Sequence, residues 1–187
     1  MQKVFWIFGY GSLMWDPGFH PAETVKARLA GYARTFCMRS TRYRGTTETP
    51  GLVLGLDVDQ GAECSGLALR VAEEDHDHVM LYLRERELVT GAYQEQLVTV
   101  ALEDGRRIEA IAYVMRRDHE QYVGNLCHRE QAEIIARATG GRGPNAEYLF
   151  NTARHLAEIG LADPWLEELS ADVRRLLDQT RRPDGPR

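Results

Sequence analysis

The sequence predicts an α+β fold, a small mixed, largely antiparallel β-barrel or sheet flanked by helices. Three observations carry this expectation. Most strand-like segments follow one another without intervening helices, unlike the strand–helix alternation of a doubly wound parallel sheet. Asp104-Gly105 separates two apolar runs and is a hairpin signal. Helical patterns, sparse at first, dominate from Arg129 onward.

The elements can be taken in order. Val4-Phe5-Trp6-Ile7-Phe8 is a short apolar run ended by Gly9. A signal peptide would need a longer apolar region and a small-residue cleavage site, so the run reads as a first, buried strand. Val25 to Arg39 mixes Val, Leu, Tyr and Phe with polar residues, and Gly31 within it marks a bend or bulge. Leu52 to Val58 follows Pro50-Gly51, and Gly61 is expected to divide it from a further strand over Ser65 to Val71. Tyr93 to Leu102 and Ile108 to Met115 are the two arms of the Asp104-Gly105 hairpin. Helices are predicted over Glu73 to Glu87, Arg129 to Ala138, Ala146 to Ile159 after Pro144-Asn145, and from Pro164 through Leu177. No repeat or linker interrupts the chain, so residues 1–180 read as one domain and the charged, proline-containing tail 181–187 as disordered.

Composition narrows the function. A net charge of −5 argues against a nucleic-acid partner, because phosphate binding needs excess Lys and Arg. No segment approaches the length and apolarity of a membrane span. Cys37, Cys64 and Cys127 are odd in number and far apart, which suits buried, reduced thiols in a cytoplasm.

Two segments carry candidate chemistry. Gly9-Tyr10-Gly11-Ser12-Leu13 directly follows the first strand but lacks the third glycine of a dinucleotide fingerprint, and no Walker-type Gly-Lys-Ser/Thr occurs. It offers backbone N–H groups and one hydroxyl, suited to a carboxylate or a developing oxyanion. The segment alone leaves a plain tight turn equally open. In the first helix, Val79, Leu83 and Glu87 are spaced four apart and share a face with Met80, while Glu85 points away. The helix that buries Val79 and Leu83 therefore turns Glu87 inward, where desolvation raises a carboxyl toward the pKa useful in a general base. An exposed last-turn carboxylate paired with Arg86 is the alternative.

Other features are weaker. Arg44, in the polar stretch Ser40 to Gly45, could grip a substrate carboxylate with two N–H groups. His76 and His78 lie two apart on a helix and so point in different directions, unlike the i,i+4 pair of zinc helices, and they read as surface residues. Ser12 has no Gly-x-Ser-x-Gly setting, which leaves a serine hydrolase a minor alternative.

Four blocks together resemble the ChaC-type γ-glutamylcyclotransferases, over a span from Trp6 to about Leu177. They are Phe8-Gly9-Tyr10-Gly11-Ser12-Leu13-Met14-Trp15; Arg44-Gly45 with Pro50-Gly51; Arg86-Glu87 with Thr90-Gly91 and Tyr93; and Asn145-Ala146-Glu147-Tyr148-Leu149-Phe150. The resemblance implies a small mixed barrel with flanking helices. It implies a cofactor- and metal-free reaction in which a γ-glutamyl α-amine attacks its own γ-amide carbonyl, with glutathione as substrate and 5-oxoproline and Cys-Gly as products. By the same resemblance Glu87 is the catalytic base and then acid. Ile7, Phe8, Gly9, Tyr10, Gly11, Ser12 and Leu13 bind the glutamyl moiety, and Ser40, Arg44, Tyr93 and Tyr148 lie near it. A cyclotransferase for other γ-glutamyl compounds, or a non-catalytic binding protein of the same fold, stays open at this point.

Overall fold

A computed structural model describes residues 5–124 and 126–181. Five strands form a closed barrel: β1 (Phe5–Gly9), β2 (Glu23–Ser40), β3 (Gly51–Val71), β4 (Tyr93–Leu102) and β5 (Arg107–Met115), in the spatial order β1-β3-β2-β4-β5. β1 runs antiparallel to β3, with Phe5 opposite Val71 and Gly9 opposite Leu67, and parallel to β5 at Ile7 and Ile111. That one parallel contact closes the barrel and makes an otherwise antiparallel sheet mixed. The hairpin expected at Asp104-Gly105 joins β4 to β5, with Gly105 at φ +91°, where a side chain would be strained. Gly31 bends β2 in the same left-handed region, at φ +83°.

One expectation is corrected. Gly61 does not divide two strands; residues 51–71 form a single strand. Glycine also adopts ordinary extended backbone, so its presence alone does not end a ladder. The first helix also differs slightly, opening with a 3-10 turn over Glu73–Asp75 before α1 (His76–Glu87).

The described residues divide into two compact units, which the long strands β2 and β3 both enter. The first, up to Thr35 and again over Leu54–Tyr122, holds the barrel and α1. Alternation fills the barrel interior: Trp6 and Phe8 from β1, Val98 and Val100 from β4, and Ala112 and Val114 from β5. Ile7, on the opposite face of β1, is also fully buried, which explains why this strand reads as a continuous apolar run.

The second unit, Phe36–Val53 with the chain from Val123 onward, is mainly helical. Its elements are α2 (His128–Arg137), a two-stranded ribbon of β6 (Thr139–Gly140) and β7 (Gly143–Pro144), α3 (Asn145–Glu158) and α4 (Pro164–Arg181). The three helices pack on one another through Ile135, Leu149, Leu156, Leu166, Leu169 and Val173, each with no exposed surface. Asp163 Oδ1 accepts from the N–H groups of Trp165 and Leu166, capping α4. That helix runs on to Arg181, past its expected end at Leu177. The tail expected to be disordered lies, beyond Arg181, outside the described residues.

Two further expectations change. Cys37 and Cys64 are buried, but Cys127 is exposed, because it stands at the start of α2 where its thiol faces the first-turn N–H groups. His78 is exposed as expected, whereas the His76 ring packs edge-on against Phe5 at 4.2 Å and is only partly exposed.

Candidate active site

The first unit brings the loop after β1 and the end of α1 together. Beyond Gly9 the chain leaves the barrel through Tyr10 and Gly11 and closes a 3-10 turn over Ser12–Met14. The turn is tied by Met14 N–H to the Gly11 carbonyl at 2.9 Å and by Asp16 N–H to the Ser12 carbonyl at 2.8 Å. The N–H groups of Ser12 and Leu13 precede the turn's first bond and are not consumed by it. Buried Arg34 fixes the entry to this loop, its Nη1 donating to the carbonyls of Tyr10 and Ser65, each at 2.9 Å.

The side chains of the first block divide by burial. Ile7 and Phe8 are wholly buried and Leu13 nearly so, which leaves their backbones as the parts able to meet a ligand. The Tyr10 phenol lies inside the fold and donates to the Tyr113 carbonyl at 3.0 Å. Ser12 is exposed.

At the other side stands Glu87, the last residue of α1. Val79, Met80 and Leu83 are buried and Glu85 is exposed. The Glu87 side chain is 17% exposed. Burial pushes its carboxyl above the usual carboxylate range, and the Arg86 guanidinium beside it pulls in the opposite direction but less. Arg86 Nε lies 3.2 Å from Glu87 Oε1. The same guanidinium donates from Nη2 to Ser12 Oγ at 3.0 Å, and from Nη1 to the Asp16 carbonyl at 2.8 Å and the Tyr82 hydroxyl at 3.0 Å. Both readings of Glu87 therefore meet: it is turned inward and it is paired with its neighbour.

Nearby, Tyr113 on β5 is 1% exposed. Its hydroxyl has no hydrogen-bond partner among the described residues. Burial, with the charges of Glu95 and Glu87, holds this phenol above the ordinary tyrosine range. Arg84 grips Glu95 with two N–H groups, at 2.8 and 2.9 Å. Tyr93, at the start of β4, spends its hydroxyl proton on the Leu54 carbonyl at 2.7 Å.

The second unit brings Ser40, Arg44 and Tyr148 together. Ser40 Oγ accepts from Arg44 N–H at 3.0 Å, and the Arg44 guanidinium lies over the Tyr148 ring, 5.6 Å from its centroid. Arg44 Nη1 donates to the carbonyls of Arg142 and Pro144 at 2.8 and 3.2 Å, so a substrate carboxylate would compete with bonds already made. The glycines of the same region serve close approach. A Cβ on Gly45 would stand 2.1 Å from Gly51 N, and one on Gly51 would stand 2.1 Å from the Arg44 carbonyl oxygen.

The sequence assigns Arg34 no place in the site, and it assigns Arg86 a place in the third block and a possible pairing with Glu87 but no role of its own. Arg34 bridges 24 and 31 residues to its acceptors, and Arg86 bridges 70 and 74, distances that no local pattern reports. The adjacency Arg86-Glu87 was the one signal available.

Comparison with known proteins identifies the family and the fold. A family model described as ChaC-like protein matches residues 5–176. A glutathione-specific γ-glutamylcyclotransferase of Escherichia coli (strain K12) is 38% identical over 180 residues, covering 96% of this chain and 77% of that protein. γ-Glutamylcyclotransferase 2-3 of Arabidopsis thaliana is 32% identical over 187 residues, covering 96% and 93%. The crystal structure of a γ-glutamyl cyclotransferase specific to glutathione from yeast superposes with a TM-score of 0.83 at 24% identity, covering 96% of this chain and all of that one. That last likeness speaks for the barrel and its helices. The family match and the relatives' identity hold along most of the sequence, so the chain belongs to the ChaC-like family.

Proposed function

We propose that this protein is a glutathione-specific γ-glutamylcyclotransferase, releasing 5-oxoproline and Cys-Gly from glutathione. The observation that carries the reading is Glu87: a largely buried carboxylate of raised pKa, joined through Arg86 to the glycine-containing loop after β1. The E. coli relative named for the same reaction supports the substrate.

The chemistry suits such a site. The substrate's α-ammonium must lose a proton before its nitrogen can attack the γ-amide carbonyl. Glu87 takes that proton. The nitrogen then closes a five-membered ring, and the carbonyl oxygen gathers negative charge beside the loop's N–H groups. One such donor is worth roughly 3 kcal/mol of barrier in other acyl-transfer sites. When the amide C–N bond breaks, the departing amine of Cys-Gly takes the proton held by Glu87. The ring nitrogen sheds its second proton to leave the neutral lactam of 5-oxoproline, the freed amine takes one up to become an ammonium, and Glu87 returns to its starting state. Attack is intramolecular, so holding one folded conformer supplies much of the rate; effective molarities in such cases reach ~10⁵ M or more.

The roles of Ile7 to Leu13 as the glutamyl-binding backbone rest on the family resemblance together with the loop's geometry. Those of Tyr93, Ser40, Arg44 and Tyr148 rest on the resemblance alone. Among the described residues no helix is long and apolar enough to cross a membrane. Buried cysteines such as Cys37 and Cys64 suit a reducing compartment, and we place the protein in the cytoplasm.

Purified protein incubated with glutathione should release 5-oxoproline and Cys-Gly in equal amounts. Turnover of γ-glutamyl alanine without turnover of glutathione would keep the reaction and overturn the substrate.

A further inference from the structure

An arginine near a helix end is ordinarily solvated, and its ion pairs then contribute little. Arg86 is held differently. Its side chain is 22% exposed and every guanidinium nitrogen has a partner: Glu87 at Nε, the Asp16 carbonyl and the Tyr82 hydroxyl at Nη1, and Ser12 Oγ at Nη2. These partners come from two elements. Ser12 and Asp16 belong to the loop after β1, while Tyr82 and Glu87 belong to α1. The guanidinium is a rigid plane whose donors cannot turn independently. Aiming Nε at Glu87 therefore sets the direction in which the Nη pair meets the loop.

Tyr82 is itself seated. Gly18 has φ +78°, and a Cβ there would fall 2.2 Å from the Tyr82 hydroxyl oxygen, so only glycine leaves the phenol room beside Arg86.

We propose that Arg86 is a positioning residue for this site: its guanidinium fastens the loop after β1 to the last turn of α1 and holds the Glu87 carboxylate in place beside that loop. The inference rests on the reading of Glu87 as the base. The loop binds the reacting group and the helix supplies the base, on separate elements, and a misplacement of about 1 Å between such parts can cost about 100-fold in rate. The link also acts through charge. Among the described residues, two titratable groups interact with Glu87, namely Arg86 on its own helix and Tyr113 on β5. The phenol stays neutral over the working range, so of the two only Arg86 brings charge that favours the carboxylate.

Two substitutions separate these effects. Arg86→Lys keeps the charge and loses the planar fork. Its kcat should fall about 10–100-fold with the acid limb of the pH profile nearly unmoved. Arg86→Gln loses both, and Glu87 should then titrate at a higher pH than in the wild type, read directly from the carboxyl ¹³C shift of Glu87. Tyr82→Phe, the mildest change, should lower kcat about 2–10-fold with KM unchanged. Wild-type kcat in Arg86→Lys, or a Glu87 titration unmoved in Arg86→Gln, would overturn the proposal. If Arg86→Gln does not fold, Arg86→Lys alone decides it, by the same criterion. Turnover surviving in Glu87→Gln would instead remove the base reading, and the ¹³C titration would still judge the Arg86–Glu87 link.

Discussion

Asn145 and Leu52 exchange a pair of hydrogen bonds. Leu52 N–H donates to Asn145 Oδ1 and Asn145 Nδ2 donates to the Leu52 carbonyl, both at 2.7 Å, and the asparagine is wholly buried. The side chain thus stands in for one residue of a neighbouring strand at the start of β3. Only an amide offers donor and acceptor in that geometry.

Asn145→Ala should therefore strand a buried N–H and a buried carbonyl, destabilising the protein by about 2–4 kcal/mol in denaturant titrations. Asn145→Asp should also destabilise it, because the carboxylate keeps the acceptor and sets a negative charge against the Leu52 carbonyl.

Gly51→Ala tests the close approach of backbones beside this pair. The added Cβ would meet the Arg44 carbonyl oxygen at 2.1 Å and Asn145 Oδ1 at 2.7 Å, and the first of these is main chain that cannot swing aside. The expected loss is about 2–4 kcal/mol, visible as a lower denaturation midpoint at unchanged slope.

Glu87→Gln should fold and lose about 10²–10⁴-fold in kcat with glutathione. In the wild type, kcat/KM should fall as acid protonates Glu87, at a pH above the ordinary glutamate value of about 4.3 because burial raises this carboxyl. A limb at or below that value would show that the titrating base is another group.

The same raised pKa has a stability consequence of definite sign. A carboxyl whose pKa is higher folded than unfolded binds its proton more tightly in the native state. Its contribution is fully present below the unfolded pKa and is lost as pH rises through the folded one. Glu87→Gln removes that loss. Thermal melts should place this variant above the wild type at pH 8, with the difference shrinking as pH falls toward 4. A variant less stable than wild type at pH 8 would mean that the Arg86 pair outweighs burial.

The features legible in the sequence are those with a local cause. An apolar run cut off by Gly9 gives β1, Asp104-Gly105 gives the β4–β5 hairpin, and four-residue spacing turns Glu87 inward. Most of what escaped was set by distant partners. Gly61 lies inside an unbroken strand, since glycine takes up extended backbone as well as turns, and His76 lost its surface position to the Phe5 ring. Arg86 and Arg34 show their importance only through acceptors brought near by the barrel. The glycines of the second block look like turn residues until the crowding of their backbones is seen.

The exposure of Cys127 has a practical side. With Cys37 and Cys64 sealed inside the fold, a maleimide applied under native conditions has one ready target in a chain of three thiols. The protein therefore comes with a single natural attachment point for a fluorophore or spin label at the start of α2. No cysteine would have to be engineered in or out before its motions are followed by spectroscopy.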